Sequence, residues 1–136
     1  AQLDLSSFQN AVTSLEVALQ ARAADPANEF VRDSCIQRFE YTYELCHKML
    51  KRYLEATESS AASIDALGFP DLIRTAAERG LVKSGWDVWM VFRNARNITS
   101  HTYNRKKAED VLAVVPGFLQ EARGLLTAIS ERQAAR

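Results

Sequence analysis

The sequence predicts an all-α fold: an antiparallel, up-and-down four-helix bundle with one additional short helix. Three observations carry this reading. Apolar residues recur three and four positions apart along most of the chain. Glycine and proline are scarce, at five and three, so the many turns of an all-β chain are missing. No stretch alternates apolar and polar residues as a half-buried strand does.

The first predicted helix covers residues 5–24. Leu5, Phe8, Val12, Leu15 and Leu19 form a seam along one side of it. Asp25-Pro26 closes it, because proline disfavours helix in the residue before it. The second helix covers 28–57, with Val31, Cys35, Phe39, Thr42, Cys46, Met49 and Tyr53 at helical spacing. Its other ridge, Asp33, Gln37, Tyr41, Glu44, Lys48 and Lys51, reads mostly as a solvated face. Glu44 and Lys48 are spaced for an ion pair worth about 0.2–0.5 kcal/mol.

EATESSAASIDALG, residues 55–68, reads as a loop with room for a partial turn. Residues 69–79 form the short helix, with Pro70 near its first position and Gly80 stopping it. The next helix runs from about 84 to 101 and carries Trp86, Trp89, Met90 and Phe92. The last runs over 106–132. Its apolar stripe is broad, from Ala108 and Val111 through Val115 and Phe118 to Leu126 and Ile129. Pro116-Gly117 predicts a kink or break there, since proline cannot donate to the Leu112 carbonyl and crowds it.

A chain of 136 residues fits one domain, 1–136, that buries about two thirds of its unfolded surface. Seventeen basic and seventeen acidic residues cancel, so no general electrostatic grip on nucleic acid is expected. Anion binding must come from a local cluster. Cys35 and Cys46 lie about 16 Å apart along one helix, too far for a disulfide, and read as core thiols. No apolar run approaches the roughly 18 residues of a membrane span, and no signal-peptide pattern opens the sequence. A reduced, cytoplasmic setting without membrane contact is expected.

Several chemistries lack their residues. There is no glycine-rich phosphate loop, no HExxH and no G-x-S-x-G elbow. The two cysteines and two histidines are not at zinc spacing, so neither metal nor cofactor is expected. Cys46 and His47 are adjacent on a helix and point apart, so they are no nucleophile–base pair. His47 reads as a boundary residue of the bundle.

RNARNITSH, residues 93–101, is the unusual stretch. On a regular helix Arg93, Asn97 and His101 share one ridge, and Arg96 and Ser100 share the next. Arg96 and His101 are then about 140° apart. They meet one ligand only if the helix end unwinds or a second subunit brings its copy. Tyr103, Arg105, Lys106 and Lys107 follow, so a neutral protein gathers cations around one histidine.

Arginine presents a planar fork of donors that matches phosphate oxygens. Histidine changes protonation state near neutral pH, and a helix C-terminus favours its charged form. These groups together suit metal-independent RNA cleavage. His101 would take the 2′-hydroxyl proton, Arg96 would stabilise charge developing on phosphorus, and Asn97 would assist. The plainer alternative is that the Arg and Asn side chains cap helix carbonyls and His101 satisfies a loop.

RNITSHTY, residues 96–103, fits R-x4-H-x-Y and so resembles HEPN domains, small helical bundles of prokaryotic toxin and defence systems. RDSCIQRFEYTYELCHK, residues 32–48, resembles the strongest block of one HEPN branch, the nucleotidyltransferase substrate-binding proteins. Trp86 and Trp89 also look like that branch. His47 departs from the pattern, which usually has an aromatic, most often Trp, at that place.

The resemblance covers nearly the whole chain. It implies a homodimer whose motifs line a cleft between subunits, and a complex with a minimal nucleotidyltransferase acting as antitoxin. It also implies RNA as substrate, with Arg96 and His101 catalytic, Asn97 as polar helper, and Tyr103 as the residue that the partner adenylylates. Arg93, Arg105 and Lys106 would bind phosphate. Arg38, Glu40 and Glu44 would support the cleft by orienting a motif arginine, or else form ordinary ion pairs. Tyr103 would be exposed for modification, or else a partly buried ring on the helix end. The other functional reading is a non-catalytic nucleotide- or substrate-binding subunit of a nucleotidyltransferase complex.

Overall fold

A computed structural model describes residues 2–135. Its order is α1 (Ser6–Ala24), α2 (Glu29–Thr57), α3 (Ala61–Asp65), α4 (Phe69–Glu78), α5 (Trp86–Asn97), a 3₁₀ turn (Thr99–His101) and α6 (Arg105–Ala134). No strand occurs among the described residues. The all-α bundle is as expected, with α1, α2, α5 and α6 as its four main members.

The direction of packing is written in hydrogen bonds between α1 and α2. Side chains of α2 donate to main-chain carbonyls of α1: Thr42 Oγ1 to Ala11 at 3.2 Å, Arg38 Nη1 to Ser14 at 2.8 Å, and Cys35 Sγ to Ala18 at 3.2 Å. Rising numbers on one helix meet falling numbers on the other, so the pair is antiparallel. Buried Ala11 and Ala18 present little side chain, which allows the helices to approach closely. α1 is antiparallel to α6 by the same logic: Arg22 pairs with Glu109 at 2.7 Å, and Glu16 pairs with Arg123.

α2 and α6 each extend about 45 Å, whereas α5 extends only about 18 Å. The short helix is held by aromatic packing. Phe118 of α6 is fully buried, with ring centroids 5.1 Å from Phe39 of α2 and 5.6 Å from Phe92 of α5. Trp89 lies 6.2 Å from Phe118 and 5.1 Å from Phe92. Phe69 at the start of α4 joins this group through Tyr43 and Trp86. Cys35 and Cys46 are buried and free, and burial pushes both thiols above their ordinary range.

Local signals set most boundaries. Asn28 caps α2, its Oδ1 accepting from Phe30 N at 2.9 Å and Val31 N at 3.3 Å. Pro70 falls in the first turn of α4. Gly80 beyond its end takes φ +73°, which glycine adopts without strain.

Four expectations need correction. The 55–68 loop contains a one-turn helix, α3, capped by Ser60 Oγ accepting from Ser63 N at 3.2 Å. The helix expected to reach His101 stops at Asn97, and the chain tightens into a 3₁₀ turn. Of the kink or break expected at Pro116-Gly117, the break does not occur, and α6 runs on through it. Pro116 faces solvent, while Val115, Phe118 and Leu119 stay buried, so burial of that seam outweighs the local cost of proline.

The fourth concerns apolar length. α6 contains an 18-residue window of mean hydropathy 1.2 with no more than two charged residues, apolar enough by composition to cross a membrane. A search for an unbroken apolar run misses it. In the fold, its Val111, Val115, Phe118, Ala122 and Leu125 are core residues packed between the other helices.

Replacing Pro116 by alanine restores the missing N–H donor without disturbing the buried seam. Pro116→Ala is expected to stabilise the fold by about 1–3 kcal/mol in urea denaturation. A loss of stability would mean that the proline sets a bend which the core requires.

Candidate functional site

The motif sits where α5 ends against the middle of α2. Arg96, on the last turn of α5, is about 29% exposed at its side chain and reaches across to two carboxylates of α2. Its Nε and Nη2 donate to Glu44 Oε1 at 3.2 and 2.8 Å, and Nη1 lies 3.4 Å from Glu40 Oε2. Nη1 also donates to Thr99 Oγ1 at 3.0 Å, and that hydroxyl donates to the Arg96 carbonyl at 2.8 Å. Of the five guanidinium donors, Glu44 takes two and Thr99 one. The arginine is thus oriented from both sides.

Glu44 therefore pairs with Arg96 rather than with Lys48, the partner expected from i,i+4 spacing. Thr99 went unnoticed in the sequence. Its signal was available: a hydroxyl three residues beyond an arginine at a helix end.

Beyond Ile98 the chain changes pitch. His101 N donates to the Ile98 carbonyl at 3.0 Å, Thr102 Oγ1 to Thr99 O at 2.9 Å, and Asn104 N to His101 O at 3.2 Å. A 3₁₀ turn advances about 120° per residue against about 100° in an α-helix. Tightening therefore carries His101 further round from Arg96, not back towards it, and the expected shared ridge of Arg93, Asn97 and His101 ends at Asn97. The His101 side chain is exposed, with no hydrogen-bond partner among the described residues. Tyr103 is 87% exposed, so it is not a ring packed on the helix end.

The remaining candidates fall into three places. Arg93 and Asn97 join Arg96 in lining a groove of 330 Å³, with Tyr43, Glu44, His47 and Phe69 opposite. Arg93 lies over the Trp86 ring, 5.9 Å from its centroid. Arg105 instead lines a separate hollow with Asn28, Arg32 and Glu109, and Lys106 pairs with Asp110 at 3.2 Å. Arg38 does not reach the cluster. It lies about 200° round α2 from Glu40 and binds the Ser14 carbonyl of α1.

His47 lies at the boundary of the bundle, as expected. It is half-buried on the face of α2 that carries Glu44, and its ring centroid is 4.2 Å from that of Phe69. Burial, helped by the nearby Lys51 cation, holds its imidazole below the ordinary value of 6.5. Burial also pushes the Tyr43 hydroxyl up to about 12, so it stays protonated. No group of three or more His, Cys, Asp or Glu fit to hold a metal ion occurs among the described residues.

Residues 3–131 match the family described as nucleotidyltransferase substrate binding protein like. The chain belongs to this family, a branch of HEPN proteins. It is 42% identical over 97 residues to a Haemophilus influenzae protein named "Probable ribonuclease HepT". The matched stretch covers 71% of this chain and 66% of that relative, just under two thirds of its length. A solved Haemophilus influenzae structure superposes with a TM-score of 0.87 at 34% identity, covering 93% of this chain and 99% of that one. That structure is described as the fold of a substrate binding domain of a nucleotidyltransferase. The HEPN fold expected from the motif is therefore the fold present.

The His47 environment has a measurable consequence. Its folded pKa lies below the unfolded value, so on acidification the unfolded chain takes up the proton first. Its contribution to stability is complete above about pH 6.5 and declines as pH falls through and below that value. An NMR titration of the His47 ring should give a midpoint under 6.5, and His47→Gln should flatten the stability–pH curve in that window. A midpoint at or above 6.5 contradicts the burial described.

Proposed function

We propose that this HEPN protein is a metal-independent ribonuclease toxin, silenced by a minimal nucleotidyltransferase that adenylylates Tyr103. The observation that carries the reading is Arg96, oriented by Glu40, Glu44 and Thr99 one short turn ahead of an unpartnered, exposed His101. The name of the Haemophilus influenzae relative supports the same chemistry.

In this reading the protein is a homodimer, and two motifs face one RNA strand across the subunit boundary. His101 of one copy takes the proton of a 2′-hydroxyl, and the oxygen attacks the adjacent phosphorus. The bond from phosphorus to the 5′-oxygen breaks, and the imidazolium of the second copy protonates that oxygen. The products are a 2′,3′-cyclic phosphate and a 5′-hydroxyl, so no metal or water is needed in the step. The free donors of Arg96 bind the phosphoryl oxygens as charge develops, with Asn97 beside them. Arg93 adds positive charge on the groove side. Arg105 and Lys106, beyond the turn, bind phosphates further along the strand.

Silencing follows from the exposure of Tyr103. Its phenol oxygen attacks the α-phosphorus of ATP, releasing pyrophosphate and leaving an AMP group two residues from His101. That bulky anion fills the space that the RNA phosphate needs. The partner is the nucleotidyltransferase to which the family description points.

One observation favours a second reading, a non-catalytic subunit that binds nucleotide or substrate for that enzyme. Two carboxylates surround Arg96 and offset its charge, and the protein as a whole is neutral. A subunit that only presents a ligand has no need of His101.

Cleavage of single-stranded RNA should persist in EDTA and fall about 10²–10⁴-fold in His101→Ala, with Arg96→Ala also defective. Growth arrest on induced expression should follow the same pattern. RNA left intact by the wild type would sink the ribonuclease and leave the binding subunit. Incubation with the partner and ATP should add one AMP to the wild-type chain by mass spectrometry and none to Tyr103→Phe. Equal addition to both would move the modification elsewhere.

A further inference from the structure

We propose that the groove between α2, α4 and α5 holds one nucleotide of single-stranded RNA, its base against the His47 ring and its phosphate on Arg93. The ligand class rests on the ribonuclease reading above; the subsite itself rests on separate observations.

The groove has a floor suited to a flat ligand. The His47 ring lies 4.2 Å from Phe69, tilted by 48°, and Phe69 meets Trp86 edge-on at 5.8 Å. Phe69 is buried and packs against the imidazole along the wall of the groove. His47 lines both the 330 Å³ groove and a neighbouring hollow of 460 Å³ with Lys48 and Lys51. Together these reach the size of small-ligand sites, about 300–1,000 Å³.

The charges around that floor are unevenly used. Arg96 is taken up by Glu40 and Glu44, and Lys51 by Asp65 at 3.0 Å. Arg93 and Lys48 have no carboxylate partner among the described residues. Arg93 instead lies over Trp86, which holds its guanidinium at the edge of the groove without neutralising it. Two uncommitted cations therefore flank one stacking surface. Asn97 in the groove can both donate to and accept from a base edge.

This combination selects its ligand. A divalent cation finds one groove carboxylate, Glu44, already held by Arg96. An acidic peptide would use the cations but not the ring. A nucleotide uses all three elements, because every base has a π-face and every nucleotide one phosphate. Burial favours the neutral imidazole, which stacks without paying for a buried charge. The site adjoins Arg96, so an occupant lies beside the phosphate at which cleavage is proposed.

Binding of a labelled, single-stranded 2′-O-methyl oligonucleotide to the full chain tests this by fluorescence anisotropy, because that probe cannot be cut. His47→Ala and Arg93→Ala should each weaken binding about tenfold, while His47→Phe, which keeps a stacking ring, should retain most of the affinity. Thermal melts should show all three folded. No binding by the wild type, or unchanged affinity in both alanine variants, overturns the subsite, as does a His47→Phe protein as weak as His47→Ala. AMP or an acidic peptide competing as well as the oligonucleotide would overturn RNA as the occupant. Parallel cleavage assays separate the claims. Intact RNA with the binding pattern above sinks catalysis alone, and cleavage with unaltered binding in the variants sinks the subsite alone.

Discussion

Burial of the Phe118 ring among Phe39, Tyr43, Trp89 and Phe92 is the contact on which the arrangement depends. It is where α6, α2 and α5 meet. Each edge-to-face pair contributes about 0.5–1.5 kcal/mol beyond the area it buries. The two long helices have many other contacts. α5, at twelve residues, relies on Trp89 and Phe92. Phe92 lies one turn before Arg96, and Tyr43 one turn before His47, so the same packing that closes the core sets the distance across the groove.

The polar contacts at the site do different work. An exposed or half-exposed ion pair adds little to stability, and Arg96 with Glu44 is of that kind. Its effect is directional. A guanidinium held by carboxylates and a threonine hydroxyl presents its remaining donors in a defined direction. The Thr99 hydroxyl ties the arginine side chain to the first residue of the 3₁₀ turn that carries His101. The α1–α2 contacts contrast with this, since there donors of α2 meet main-chain carbonyls and lock two helices together.

The family's description and the motif point to nucleotide chemistry, yet the net charge is zero. The structure reconciles these at the level of single side chains. Near the motif Arg96, Lys51 and Lys106 are paired with carboxylates, whereas Arg93, Lys48, Arg105 and Lys107 have no such partner among the described residues and stand around the groove and the turn. A protein can then contact a short stretch of phosphate without binding nucleic acid at large.

Helical periodicity is a property of consecutive residues, so the sequence by itself determined the main helices, the stop at Gly80, and the buried seams of α1, α2 and α6. The order of RNITSHTY likewise determined which chemical groups lie at the end of α5. Three matters were beyond it. A helix displays every side of itself, and only packing decides which side meets which neighbour. That is why Glu44 faces Arg96 instead of Lys48, why Arg38 turns to α1, and why His47 shares a groove with Arg93. α6 runs through Pro116 because burial of Val115, Phe118 and Leu119 outweighs the preference of the local backbone. The tightening after Asn97 goes with the Thr99 and Thr102 hydroxyls, which donate to carbonyls three residues back.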